Sequence, residues 1–353
     1  METIMKKNVA VRLLKDSDRK AWDDFVLSHE KGTFFHLTGW KEVVERSFGH
    51  GSFYLMAVDR ADGNAISGIF PLFSVKSLLF GRCMVSLPFA TYGGILADDT
   101  EVARMLFEEG VRLTKQQTLD YLEIRNDEAI FSELPTKDLY YVFRKEISDD
   151  DEENLKAIPR KSRRMVRQGM KKGLKHAFGT FELLDQFYEL VAFNYRRLGT
   201  PVFSKRYFKN LIGTFESQSS ILIISKDQRP LSGVLSFYFK DQVLPYYSGA
   251  YPEANRLAAN DYLYWVLMSD AAKRGCRIFD FGRSKKDTGP YHFKKHWGFE
   301  PKPLAYQYYL NKVSEIPNIS PANPKYQRRI QMWQNLPLWA TKIIGPRIVK
   351  YIP

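Results

Sequence analysis

The densest chemistry in the chain lies in Phe279-Asp280-Phe281-Gly282-Arg283-Ser284-Lys285-Lys286-Asp287-Thr288-Gly289-Pro290-Tyr291-His292-Phe293-Lys294-Lys295-His296-Trp297-Gly298-Phe299. Its start reads as a buried strand ending at Asp280, its middle as a Gly/Ser/Lys loop, and Pro290 as the opening of a short helix that presents Lys294 after Phe293. Ligands in α/β folds collect at such strand-to-helix loops. A lysine there holds a developing oxyanion, a phosphate or a carboxylate by its charge. Asp280 would orient an attacking amine or accept its proton, although an acid at a strand end also caps the following loop.

A second concentration of charge follows Pro159. Arg160, Arg163, Arg164, Arg167, Lys171 and Lys175 recur at three- and four-residue steps, which places them on one helical face. Six like charges repel one another unless an anion lies near: phosphates of tRNA, a nucleotide-linked sugar or a lipid pyrophosphate would serve. The other arrangement pairs them with the acids at 149–153 and with solvent. Metal chemistry finds no support. Of histidines 29, 36, 50, 176, 292 and 296, His292 and His296 stand four apart but with no matching acid partner evident, and Cys83 and Cys276 match no zinc spacing. Trp40, Tyr92, Tyr246, Tyr247 and Tyr291 stand near turn signals, where they would wall a cleft.

The elements that must position these groups are legible as periodicities. Residues 9–14, 52–59, 64–76, 82–88 and 119–126 read as strands, and 17–29, 38–48 and 100–117 as helices, giving a mixed α/β unit around a central sheet. The second half repeats the order. Ser67-Gly68-Ile69-Phe70 recurs as Ser232-Gly233-Val234-Leu235, Thr91-Tyr92-Gly93-Gly94 as Tyr246-Tyr247-Ser248-Gly249, and the strand at 119–125 as 276–282. Three matches in one order suggest a duplicated domain. The acidic run 149–153 reads as a linker or a solvated helix start between the copies, so the first domain is expected at 1–147 and the second at 148–316. Prolines 317, 321 and 324 then set off an appendage at 317–353.

At 353 residues the chain fits two domains, and 44% apolar with 14% aromatic residues excludes disorder. Its net charge of +13 is local: residues 155–176 hold nine Lys/Arg and 325–353 hold six, neither with an acid, leaving −2 for the rest. No apolar run is long enough to span a bilayer and the start shows no signal-peptide core, so a cytoplasmic protein is expected. The tail mixes Trp333, Trp339 and aliphatics with only positive charge. It suits either a peripheral contact with anionic lipid at the inner face of the plasma membrane or a helix closing over the first domain.

These residues carry a family resemblance. Phe35-His36-Leu37-Thr38-Gly39-Trp40, residues 160–174, Tyr195-Arg196-Arg197-Leu198-Gly199 with Tyr207, and Phe293-Lys294-Lys295-His296-Trp297-Gly298 resemble the FemAB peptidyltransferases, most of all those associated with exosortase (PEP-CTERM) and exopolysaccharide systems. The resemblance implies tandem GNAT-like domains with mixed central sheets and acyl transfer from an activated donor, typically aminoacyl-tRNA, to an amine on a cell-wall precursor. It implies that Lys294 stabilises charge on the donor and that Arg197 and Tyr207 lie in the precursor-binding region. Phe293, Tyr291, Arg283, Tyr247, Trp40 and Lys41 complete the candidate substrate contacts, with Arg160, Arg163, Arg164 and Arg167 as the anion site. The second domain is expected to catalyse and the first to hold acceptor.

Two departures follow. An acyl-CoA-dependent GNAT cradles pyrophosphate in an Arg-x-x-Gly-x-Gly/Ala turn, whereas this chain reads Arg256-Leu257-Ala258-Ala259-Asn260-Asp261, with an acid where phosphate would sit and Asn260 and Asp261 as caps of a helix over 261–274. No heptad arm interrupts the second domain. The donor is therefore open between aminoacyl-tRNA and acyl-CoA, with no tightly bound cofactor expected. An acyl-CoA-dependent N-acetyltransferase is the in-class alternative. The other alternative is a non-enzymatic basic module binding nucleic acid or anionic polymer.

Overall fold

Side chains alternate across a strand and recur every 3.6 residues along a helix, and both periods convert into structure in succession. The computed structural model describes residues 8–61, 63, 65–77, 81–317 and 324–352. In chain order the strands are β1 (Val9–Leu13), β2 (Gly51–Asp59), β3 (Ala65–Ser77), β4 (Gly81–Val85), β5 (Leu96–Ala97), β6 (Tyr121–Asn126), β7 (Thr136–Lys137), β8 (Tyr140–Glu146), β9 (Lys175–Gly179), β10 (Ser219–Lys226), β11 (Arg229–Phe239), β12 (Gln242–Ala250), β13 (Ile278–Lys285), β14 (Pro301–Pro303) and β15 (Ala305–Leu310). The helices are α1 (Arg19–Ser28), α2 (Thr38–Phe48), α3 (Thr100–Gln116), α4 (Asp151–Ala157), α5 (Arg160–Lys171), α6 (Leu184–Arg197), α7 (Lys205–Thr214), α8 (Glu253–Arg256), α9 (Ala259–Lys273), α10 (Gly289–His296), α11 (Pro324–Asn335) and α12 (Leu338–Val349).

Two units result, Met1–Asp138 with Leu304–Ile319 and Tyr351–Pro353, and Leu139–Pro303 with Ser320–Lys350. Their sheets share one plan. The first runs β1-β2-β3-β4-β6-β15-β7 with β5 on β3, and the second β9-β10-β11-β12-β13-β8-β14. In each, four antiparallel strands lead through a helix, α3 or α9, to a parallel fifth. An antiparallel sixth follows.

That sixth strand is exchanged in sequence. β15 comes after the second unit yet closes the first sheet, while β8 comes before it and closes the second. The expected boundary at 147 therefore moves to 138, and residues 304–316, expected in the second domain, belong to the first. Buried side chains explain both assignments. Gln307 of β15 accepts the Ile130 and Phe131 backbone N–H groups at 2.8 and 3.1 Å, and Phe143 of β8 is wholly buried in the second core. The acidic run takes the second of its two readings, a solvated helix start, because Asp150 caps α4 by accepting the Glu152 N–H at 2.7 Å.

In the first unit, Asp99 caps α3 through the Val102 N–H at 2.8 Å, and Val102, Leu106, Phe107 and Leu113 form its buried stripe. In the second, Leu222 and Ile224 of β10 join the core made with α9, α10 and Val166 of α5. The intervening Ile223 points the other way, to Gly233 and Leu190 of α6. Helices α5, α9 and α10 thus cover one face of the second sheet and α6 the other. The C-terminal helices α11 and α12 pack on α6, within the second unit. Among the described residues no helix is long and apolar enough to cross a membrane.

Candidate active site

The site is built around an irregularity in β13. Its register on β8 runs from Asp280 opposite Arg144 directly to Arg283 opposite Val142, so Phe281 and Gly282 share the single partner Phe143. Gly282 has φ +65°, the left-handed region that side chains with a Cβ avoid. Three consecutive carbonyls converge as a result. The Lys294 ammonium, delivered by α10, donates to Phe281 O at 2.7 Å, Gly282 O at 3.2 Å and Arg283 O at 3.1 Å. Phe143 and Phe281 lie beneath it with centroids at 5.4 and 5.8 Å.

Lys294 is only 9% exposed, so it is not a solvated surface charge. Burial pulls its pKa down to about 7, and the charge of Asp280 opposes that fall. The three carbonyls favour the ammonium form. Asp280 is fully buried, and its carboxylate accepts from Arg144 Nε at 2.7 Å and from the Gly282 N–H at 2.7 Å. These two bonds tie β8 to β13 and brace the bulge.

Around this centre the structure collects several of the expected residues. Tyr291 packs edge-on against Tyr141 and Phe143, Phe293 lies against Tyr264 and Trp297, and the Arg283 guanidinium sits 4.5 Å over the Tyr140 ring. Parallel pairing between β12 and β13 covers only Gln242–Ile278 and Val243–Phe279. The Lys294 carbonyls lie just beyond that point. Tyr247 on β12 shares a 2.8 Å hydrogen bond with Tyr207 of α7, and burial raises both phenols well above their ordinary value. Both are core-like, not free contacts.

Other expectations are not met in this way. Trp40 is wholly buried, edge-on to Phe34 and Phe35, with its indole N–H on Pro88 O at 3.2 Å, so it is a core residue of the first unit. Tyr92 is likewise buried. Lys41 pairs with Glu45 one turn on, and Arg197 is exposed at the end of α6, donating to Asn194.

The basic helix forms over Arg160–Lys171 and buries Ser162, Val166 and Gly169. Lys175 is on β9 instead, so the stripe ends at Lys171. Arg160, Arg164 and Arg167 are exposed, and among the described residues none of them is in an ion pair. Arg163 reaches the Lys156 carbonyl at 3.4 Å. The acids 149–153 face Lys156, Lys273, Ser148 and Ser269 and do not neutralise the stripe.

Helix α5 lies against the turn that opens α9: a Cβ on Gly169 would meet Ala258 O at 2.9 Å and Tyr262 Cβ at 2.7 Å. That turn begins earlier than expected. Ala258, in the left-handed region at φ 55°, is the N-cap of a helix that starts at Ala259, and Asn260 binds Asn255 instead of capping. Asp261 accepts its own backbone N–H and the Trp297 indole N–H at 3.1 Å, and burial raises its pKa. The helix N-terminus that a pyrophosphate would use therefore carries the chain's own carboxylate.

Residues 160–295 match the acetyltransferase (GNAT) domain family. The second unit carries a GNAT acyltransferase domain. The fold of the whole chain agrees. The structure of FemX superposes with a TM-score of 0.67 at 17% identity, covering 91% of this chain and 100% of that one. A tandem GNAT protein from the clavulanic acid biosynthesis pathway gives 0.56 at 10% identity, covering 87% and 100%. L-PGS from Bacillus licheniformis gives 0.55 at 12% identity, covering 95% and 98%. At these identities the likeness is one of fold, two GNAT-like units in tandem. No curated protein matches the chain in sequence. Among the described residues no group of three or more His, Cys, Asp or Glu is placed to hold a metal ion.

Sequence reasoning passed over Arg144 and Phe143. Both stand on β8, which reads as part of the first half. Glycine inside the β13 strand pattern was the available signal for a bulge.

Proposed function

We propose that the chain transfers an activated acyl group, with aminoacyl as the favoured form, to an amine on a cell-wall or envelope polysaccharide precursor. The observation that carries this reading is the Lys294 ammonium held on the β13 bulge just past the separation of β12 and β13. An amine attacks the donor ester carbonyl, a C–N bond forms, the ester C–O bond breaks and the amine proton ends on the leaving oxygen. This aminolysis needs orientation and charge stabilisation more than a protein nucleophile. In the reaction Lys294 exchanges its longest bond, to Gly282 O, for the donor oxygen, while Asp280 and Arg144 act as positioning residues that keep the bulge in place. Tyr291, Phe293 and Arg283 support the lysine, and Arg197 at the exposed end of α6 is the remaining candidate acceptor contact, the Tyr207–Tyr247 pair being buried.

The choice of donor rests on Asp261. A carboxylate at the α9 N-terminus disfavours the pyrophosphate of acyl-CoA, whereas an aminoacyl-tRNA brings phosphates that the exposed α5 arginines suit. An envelope acceptor, including one in an exosortase-linked exopolysaccharide system, is supported by the sequence resemblance alone. The test incubates purified protein with labelled aminoacyl-tRNA or acetyl-CoA and an amine-bearing glycan precursor. Mass spectrometry of precursors from cells with and without the gene accompanies it. Transfer from acetyl-CoA alone would replace this reading with the acyl-CoA-dependent N-acetyltransferase.

A further inference from the structure

The two local excesses of positive charge lie on opposite faces of the second sheet. Helix α5 sits with α9, and α11 and α12 sit with α6. A single flat anion cannot neutralise both. They also differ in kind, because the C-terminal pair exposes large apolar side chains. Trp339 is 67% exposed, Ile343 54% and Ile344 39%. With Arg347 they fall four, five and eight residues along α12, which is one face of a helix.

The opposite face of α12 is buried through Ala340, Thr341, Gly345 and Val349. Gly345 approaches the Val202 backbone so closely that a Cβ would meet its N and O at 2.9 Å. The helices are fastened to α6 by Arg196 donating to Leu336 O at 3.1 Å, by Gln334 donating to Arg197 O at 3.0 Å and by an ion pair between Lys342 and Glu189. The orientation of α12 is therefore set by packing, and the Trp339–Ile343 face is what remains outside. In α11 the same division leaves Met332 70% exposed while Trp333 is buried.

Single exposed apolar residues are ordinary, but four between 332 and 344 amid Arg328, Arg329 and Arg347, with no acid from 324 to 350, are not. A second copy of this face would bring cations against cations. An anionic bilayer supplies what the face lacks: phosphates for the arginines and an acyl boundary for tryptophan and isoleucine.

The geometry points to α11 and α12 as a lipid-docking face that seats the chain on an anionic membrane surface without spanning it. Trp339, Ile343 and Met332 enter the headgroup boundary, and Arg328, Arg329 and Arg347 lie at phosphate level. This rests on the acyl-transfer reading only for its use, since a lipid-linked acceptor would be presented at that surface. The docking itself is measured without turnover.

The full chain is sedimented with vesicles of phosphatidylcholine mixed with phosphatidylglycerol, and with phosphatidylcholine alone. Wild type binds the anionic vesicles in a salt-sensitive way. The double variant W339S/I343S loses about tenfold or more in partitioning, and R328Q/R329Q/R347Q loses the preference for phosphatidylglycerol. Both should keep the wild-type melting temperature, because the altered side chains face outward. R164Q/R167Q on α5 serves as the control and keeps wild-type binding. The proposal is overturned by absence of vesicle binding, by wild-type binding of W339S/I343S, or by loss of binding in the α5 control. A dimer without vesicles that W339S/I343S abolishes would make the face a protein interface and also overturn it. Transfer to a soluble acceptor, unchanged in W339S/I343S, keeps the fate of the docking face separate from that of the acyl-transfer reading.

Discussion

The fifth strands of the two sheets start alike and end differently. In β6 the register places Val85 of β4 opposite Glu123, and in β13 the acid Asp280 follows directly after the last pair, Val243 with Phe279. Both acids are buried. Two residues later the first unit has Arg125 and the second has Gly282. Arg125 binds Glu123 at 2.7 Å and sends its guanidinium to Leu87 O and Ala90 O at 3.0 and 3.2 Å. It thereby sews the chain leaving β4 onto β6. At Gly282 no side chain exists to make that stitch, the backbone turns left-handed, and its carbonyls receive a lysine from α10 instead. One duplicated scaffold thus has a closed opening in one copy and a mounted cation in the other. On the acyl-transfer reading proposed above, this difference gives the first unit a structural stitch where the second has its chemistry.

The largest effect that would sharpen this contrast is expected from Arg125→Met. It leaves Glu123 buried without its guanidinium and should cost about 3–5 kcal/mol of stability, read from denaturant midpoints, with turnover per folded molecule unchanged. A large loss of turnover in correctly folded protein would break the assignment. Lys294→Met comes next, lowering kcat by about 10²–10³ while acceptor affinity stays near wild type, with Lys295→Met far milder. Wild-type kcat in Lys294→Met would leave the lysine as a strut for the bulge. Some loss of melting temperature is expected there too, since three carbonyls lose their donor.

Gly282→Ala probes the bulge itself. Forcing a Cβ into the left-handed region should cost about 1–2 kcal/mol and shift the carbonyls, so kcat should fall with it. The pH dependence distinguishes the ammonium from a neutral amine. Lys294 is charged below about 7, so the rate should decline as pH rises through that value. Lys294→Arg should lack that decline. Stability runs the opposite way. Below about 7 the lysine is protonated folded and unfolded, and burial of its charge is fully opposed. From about 7 to the unfolded value near 10.4 the folded chain binds fewer protons, so the group's contribution to stability climbs. The smallest effect is expected from changing Arg163, Arg164 and Arg167 to Gln. Affinity for tRNA should drop and the slope of log K against log salt should flatten by about 2–3. An unaltered slope would return α5 to a solvated face.

Much of the architecture is written locally. Helices at 38–48 and 100–116, strands at 51–59 and 121–126 and the repeat of the two halves follow from side-chain period, because each element hides its apolar face regardless of partner. The helix that carries Lys294 and the helix after Pro159 are legible for the same reason. Tertiary structure alone decided that β8 and β15 change places, because strand pairing is satisfied by whichever edge lies nearest in space, and separation along the chain carries no information about it. That exchange brings Arg144 and Phe143 to Asp280 and Lys294 from more than a hundred residues away. It also decided that Trp40 is core and that Trp339 is outside, because burial depends on what the rest of the fold places over each.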